Sequence, residues 1–185
     1  MPTSPAELFR DWHDFYVLIG TASATLVGLM FVAASIGSTF FNEQNKAGLS
    51  AFLTPSVMHF GAVLFASLMV TIPTHSWQTL GVLIGTGGLA GSVYCGRILV
   101  QIIIRQRFKV DLSDRLFYAL IPFLGYLVLS ASGVFLLIRS ASSANVIAAA
   151  LSILLFAGIR NAWDMMLWIA IKAPTANGPP PPGEA

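Results

Sequence analysis

Residues 15–41 read FYVLIGTASATLVGLMFVAASIGSTFF, an apolar run without one charged side chain. At a rise of about 1.5 Å per residue, a helix of this length exceeds the roughly 30 Å of a bilayer's hydrocarbon core. The run lacks the strict alternation of a membrane β-strand, and a bilayer admits only helices or closed barrels. It therefore reads as a transmembrane helix. Further apolar stretches follow at residues 51–72, 80–104, 116–138 and 146–171. The last is interrupted by Arg160, Asn161 and Asp164, which leaves open whether it crosses fully or half-way.

Composition agrees with this reading. Of 185 residues, 56% are hydrophobic and 10% are charged, against about 25% charged in ordinary soluble domains. Mean hydropathy is +0.77. So few charges cannot cover a soluble surface, which excludes a water-soluble enzyme. A net charge of +2 is too small for nucleic-acid binding. Cys95 is the single cysteine, so there is neither a disulfide framework nor a thiolate metal site. The expected fold is all-α, an integral membrane bundle of five transmembrane helices with an interfacial N-terminal helical extension.

That extension covers residues 1–14. Ser4 can cap a helix, Pro5 suits its first position, and Glu7 completes a capping box. No glycine follows until Gly20, so the helix either continues into the first span or bends at the membrane surface. Phe9, Trp12, Phe15 and Tyr16 suit an interfacial aromatic belt. Glu7, Asp11 and Asp14 against Arg10 argue against a secretory signal. At the other end, residues 173–185 contain prolines 179–182 and read as a disordered Pro-rich tail. Residues 15–172 between them form the transmembrane helical domain.

Orientation follows from the loop cations. Arg105, Arg107, Lys109 and Arg115 crowd the connection after the third span, and Lys46 and Lys172 share its side if five spans cross. Arg10 and Arg139 lie opposite. The positive-inside rule places the N-terminus outside and the C-terminus in the cytoplasm.

Small residues supply helix-packing surfaces in lipid. Gly20, Ala24 and Gly28 form a row on the first span. The third carries Gly81 with Gly85, Gly87 with Gly91, and Gly88 with Ser92 and Gly96. Rows on several faces predict a central third helix. Gly125 and Gly133 form a weaker row on the fourth. Short links predict two hairpins, second span with third and fourth with fifth. Pro55 and Pro122, near the starts of their spans, allow local kinks.

Polar residues at membrane depth are the candidate site. His59, Arg160 and Asn161 fall about 2–4 Å to the cytoplasmic side of the midplane, and Arg97 and Asp164 about 7–9 Å. Ionisable groups there face partners or water. Arg97, Gln101 and Arg105 form one helix stripe, and Asp164 can pair with Arg160 or Arg97. One carboxylate cannot neutralise two guanidiniums, so a positive surplus is expected. Two readings stand. In one, the residues form a satisfied network that fixes register, with His59 bonded to a hydroxyl or carbonyl. In the other, they line a wet vestibule for a small anion or an anionic lipid head group.

No motif for catalysis appears: no HExxH, GxSxG, Walker loop or dinucleotide fingerprint. Gly85-Thr86-Gly87-Gly88 lacks the lysine of a phosphate loop. No enzyme activity, cofactor or metal is expected.

FYVLIGTASATLVGLMFVAASI (residues 15–36) and IRNAWD (residues 159–164) resemble signatures of small uncharacterised bacterial polytopic inner-membrane proteins. The resemblance implies a bacterial inner membrane and carries no activity. The expected function is a small oligomeric channel or transport-type protein. The alternative is a non-catalytic accessory or scaffold subunit that binds anionic lipid or a larger membrane complex.

Overall fold

The computed structural model describes residues 4–40, 43–105 and 116–172, and these are all-helical apart from short links. A short helix, α1 (Pro5–Phe9), precedes four long ones: α2 (His13–Phe40), α3 (Glu43–Thr71), α4 (Trp77–Arg105) and, after α5, α6 (Ser143–Lys172). A π-helical turn at Leu116–Leu120 runs directly into α5 (Ile121–Leu137). The π-turn abuts Pro122, whose missing N–H would leave an α-helical carbonyl without its partner. Five helices are long and apolar enough to cross a membrane. The expected Pro-rich tail and the Arg107–Lys109–Arg115 part of the basic connection lie outside the described residues.

Local chemistry sets the helix ends. Ser4 Oγ accepts from the Glu7 N–H at 3.3 Å, as its cap position predicts. The chain then turns after Phe9, so α1 bends at the bundle end rather than continuing. Phe9 and Tyr16 meet edge to face, with centroids 5.5 Å apart. Buried Tyr16 donates its hydroxyl to the Ala144 carbonyl at 2.7 Å, tying α2 to the first turn of α6. Ser76 Oγ accepts from the Thr79 N–H at 3.1 Å and caps α4. The fifth apolar stretch lies in one continuous helix that runs unbroken through Arg160, Asn161 and Asp164. At the end of α5, Ser140 N–H donates to the Phe135 carbonyl at 2.9 Å and Arg139 N–H to Leu136 at 3.0 Å. This is a Schellman motif, and its left-handed position is filled by Arg139 at φ 56° rather than by glycine.

The helices pack in the spatial order α2, α3, α6, α5, α4, with α2 also touching α6. Half of the apolar stretch of α6 is buried, against 22% for α4. The expectation of a central third helix is therefore corrected: α6 is the hub and α4 stands at one edge. The expected α3–α4 hairpin is corrected as well. The two share few contacts, and a small apolar gap lined by Phe65, Ala66, Ile84 and Gly87 lies between them. The α5–α6 pairing holds.

The reason lies in which α4 glycines are used. Gly81, Gly85, Gly88 and Gly91 follow one another at intervals of four, three and three, so they line one face. All four meet α5. A side chain at Gly81 would strike Leu137 at 2.9 Å, and one at Gly88 would lie 2.7 Å from Ser130 Cα. At Gly133 it would reach Gly85 Cα at 2.5 Å. Ser130 adds a hydroxyl donated to the Gly85 carbonyl at 3.2 Å. Gly87 meets nothing and Gly96 only the Phe123 ring at 3.4 Å. The supposed separate rows collapse into a single seam. On α2, a side chain at Gly20 would lie 3.0 Å from Ser67 Cβ, whereas Gly28 meets open space and Ala24 is exposed, so that row is not a packing face. Gly125 faces Leu154 of α6 while Gly133 faces α4, so they serve different partners.

Gly88→Val should destabilise the bundle by about 1–3 kcal/mol, as overpacking does, because backbone atoms of Ser130 cannot give way. Gly87→Val should leave stability nearly unchanged. Thermal unfolding of both variants in one detergent checks the contrast. Arg139→Gly should raise stability by roughly 1 kcal/mol by removing the left-handed strain at the end of α5, read in the same assay.

Candidate functional site

The structure divides the expected polar cluster into three separate environments. The first is a neutral buried group centred on His59. Its side chain, on α3, is fully buried, and its ring lies beside that of Tyr126 on α5 with centroids 5.6 Å apart. His59 Nδ1 is 3.1 Å from the Tyr126 hydroxyl, which donates to the Met58 carbonyl at 3.4 Å. A phenol has one proton, and either tautomer of the imidazole fits the 3.1 Å contact with it. His59 Nε2 has no partner among the described residues in either case. Tyr126 is held there from the far side by Gly91 of α4, whose missing side chain leaves room for the ring.

Asn161 of α6 belongs to the same interior. It is 2% exposed, and its Nδ2 donor has no partner among the described residues. One turn earlier, Gly158 abuts the ring of Phe60, the neighbour of His59. An unpartnered ring nitrogen on α3 and an unpartnered amide donor on α6 thus sit on two helices that pack together. Ser23 of α2 donates to the Phe60 carbonyl at 2.6 Å, also buried, so three helices place neutral polar groups around one turn of α3.

The second environment is the Arg160–Asp164 ion pair, made within α6 with both side chains about one-third exposed. The pairing along the helix forms in spite of its unfavourable Arg-before-Asp order.

The third is the outside of α4. Arg97 and Gln101 are exposed. Arg97 follows Gly88 by nine residues, or half a turn at about 100° per residue, so it lies opposite the α5 seam. The expected gathering of Arg97 with Arg160, Asn161, Asp164 and His59 is therefore corrected. Helix α5 stands between α4 and α6, and depth along the chain carries no information about direction around the axis. The positive surplus lies on the outer face of α4, not in an interior vestibule. Neither the gap between α3 and α4 nor a recess beside α1 is lined by any of these residues.

Sequence reading did not single out Tyr126, Ser23 or Gly158. For Tyr126 the signal was present: a phenol in mid-span must find a hydrogen-bond partner. Among the described residues, no group of three His, Cys, Asp or Glu side chains is placed to hold a metal ion.

Comparison with known proteins finds no matching family, no matching curated sequence and no matching solved structure. The resemblance of residues 15–36 and 159–164 thus brings no activity to this chain. The arrangement itself can fix helix register, form one more hydrogen bond at His59 Nε2 and donate one more at Asn161.

Tyr126→Phe should lower stability by about 1–3 kcal/mol, because it leaves His59 Nδ1 unsatisfied as well. Asn161→Leu should be neutral or stabilising, since it removes a buried donor that has no partner. Unfolding in detergent followed by circular dichroism separates the two signs.

Proposed function

We propose that this chain is a non-catalytic, multi-pass subunit of a bacterial inner membrane that joins a larger membrane complex through the outer face of α4. Its N-terminus lies outside and its C-terminus in the cytoplasm. One observation carries the reading. Arg97 and Gln101, a turn apart, are exposed on a helix with a single close neighbour. A guanidinium within an apolar span is costly unless a partner, water or a head group receives it. A second protein that brings an acceptor to Arg97 removes that cost and covers the bare side of α4. Exposed Val82, Leu89, Val93 and Val100 offer the apolar contact around it.

A second reading is favoured by the same stripe. Arranged as a ring of copies, α4 helices would turn Arg97 and Gln101 toward a shared lumen and attract anions. The inner half of the bilayer would then hold a positive collar.

Extraction with the surrounding membrane and native mass spectrometry distinguish these. A hetero-complex that Arg97→Leu disrupts, with no ion flux in proteoliposomes, is the expected result. A closed homo-oligomer whose anion flux is lost in Arg97→Leu favours the ring instead. A monomer that is indifferent to Arg97→Leu overturns both.

A further inference from the structure

A recess of about 460 Å³ lies at the α1 end of the bundle, away from α4 and from His59. Its volume falls within the range of about 300–1,000 Å³ usual for small-ligand sites. The floor is apolar, made by buried Phe9, Tyr16 and Val70. The rim carries Arg10, His13 and Asp14, all exposed. None of these three side chains makes a hydrogen bond or an ion pair with another described residue.

We propose that this recess binds the head group of a phospholipid carrying both a phosphate and a primary ammonium, of the phosphatidylethanolamine type. The charge pattern argues for that class. A purely anionic head group would meet Arg10 and also the repelling carboxylate of Asp14. A simple cation would meet the reverse. A phosphate joined by two carbons to an ammonium engages Arg10 and His13 with one end and Asp14 with the other, through charge-assisted hydrogen bonds. The ammonium N–H groups matter because a carboxylate accepts hydrogen bonds and cannot donate them.

Position argues for lipid as the source. The recess opens where the apolar part of α2 begins, at His13. Half-buried Trp12 and Phe15, next to its lining residues in the chain, meet edge to face with centroids 5.7 Å apart. The amphipathic indole of Trp12 belongs at head-group level. The apolar floor then receives the glycerol and upper acyl carbons while the rim holds the polar end. The inference rests on insertion of the bundle in a bilayer and is independent of assembly through α4.

Native mass spectrometry of the full chain in detergent, titrated with phosphatidylethanolamine and separately with phosphatidylglycerol, tests it. Phosphatidylethanolamine should bind about tenfold more tightly, the worth of one charge-assisted contact. Asp14→Asn should erase that preference, and Arg10→Gln should weaken both lipids. Asp11→Asn, which removes an exposed carboxylate outside the recess, should leave the preference intact. Equal binding of the two lipids overturns the proposal, as does an equal loss in Asp11→Asn and Asp14→Asn. Free phosphoethanolamine that binds as tightly as the lipid overturns the lipid source. Failure to retain either lipid in any variant likewise overturns the site, whereas assembly through α4 is read separately from Arg97→Leu.

Discussion

Everything in this bundle hangs on how closely α4 can approach α5. Between apolar helices in lipid there is little gain from burying one leucine rather than another, so association needs backbone proximity or polar bonds. Gly81, Gly85 and Gly88 facing Ser130 and Gly133 supply that proximity. The same seam seats the Tyr126 ring on Gly91, and so carries its hydroxyl to His59 on α3. A helix that barely touches α3 thereby helps to position the histidine of α3. Because α4 commits Gly81, Gly85, Gly88 and Gly91 to one partner, most of its remaining surface is left bare.

The distribution of polar groups follows the cost of moving charge out of water. The interior holds neutral groups: His59, Tyr126, Ser23 and Asn161. Of the charged side chains within the apolar helices, Arg160 and Asp164 are paired and about one-third exposed, and Arg97 is turned outward. Desolvating an ion costs several kcal/mol even when it has a partner, whereas a neutral hydroxyl or imidazole needs only a hydrogen bond. Three bare atoms of buried residues, His59 Nε2, Ser67 Oγ and Asn161 Nδ2, are the interior's unfinished part. They mark where a small change of side chain alters stability most cleanly.

Legibility differed from residue to residue. The Ser4 cap, the five apolar helices and the hydrogen-bonded state of His59 could be read in advance, since each depends on neighbours in the chain or on a general demand for satisfaction. The Gly87–Gly91 and Gly88–Gly96 rows could not be sorted, because small residues announce that packing is possible without saying which face is used. Arg97 was misplaced for a related reason. Its depth can be counted along α4, but its direction depends on which side of α4 meets α5.

Length, hydropathy and capping chemistry are local properties, so the sequence alone determined an all-helical chain with five helices able to cross a membrane. Its glycines and buried polar types also identified where close packing and hydrogen bonding would concentrate. Only the tertiary structure decided that α6 is the hub and α4 the edge, that Tyr126 completes His59, and that Arg97 looks away from Asp164. Those outcomes depend on the azimuth of each helix against its neighbours. That angle is chosen by steric fit between residues far apart in the chain, a quantity that no single span contains.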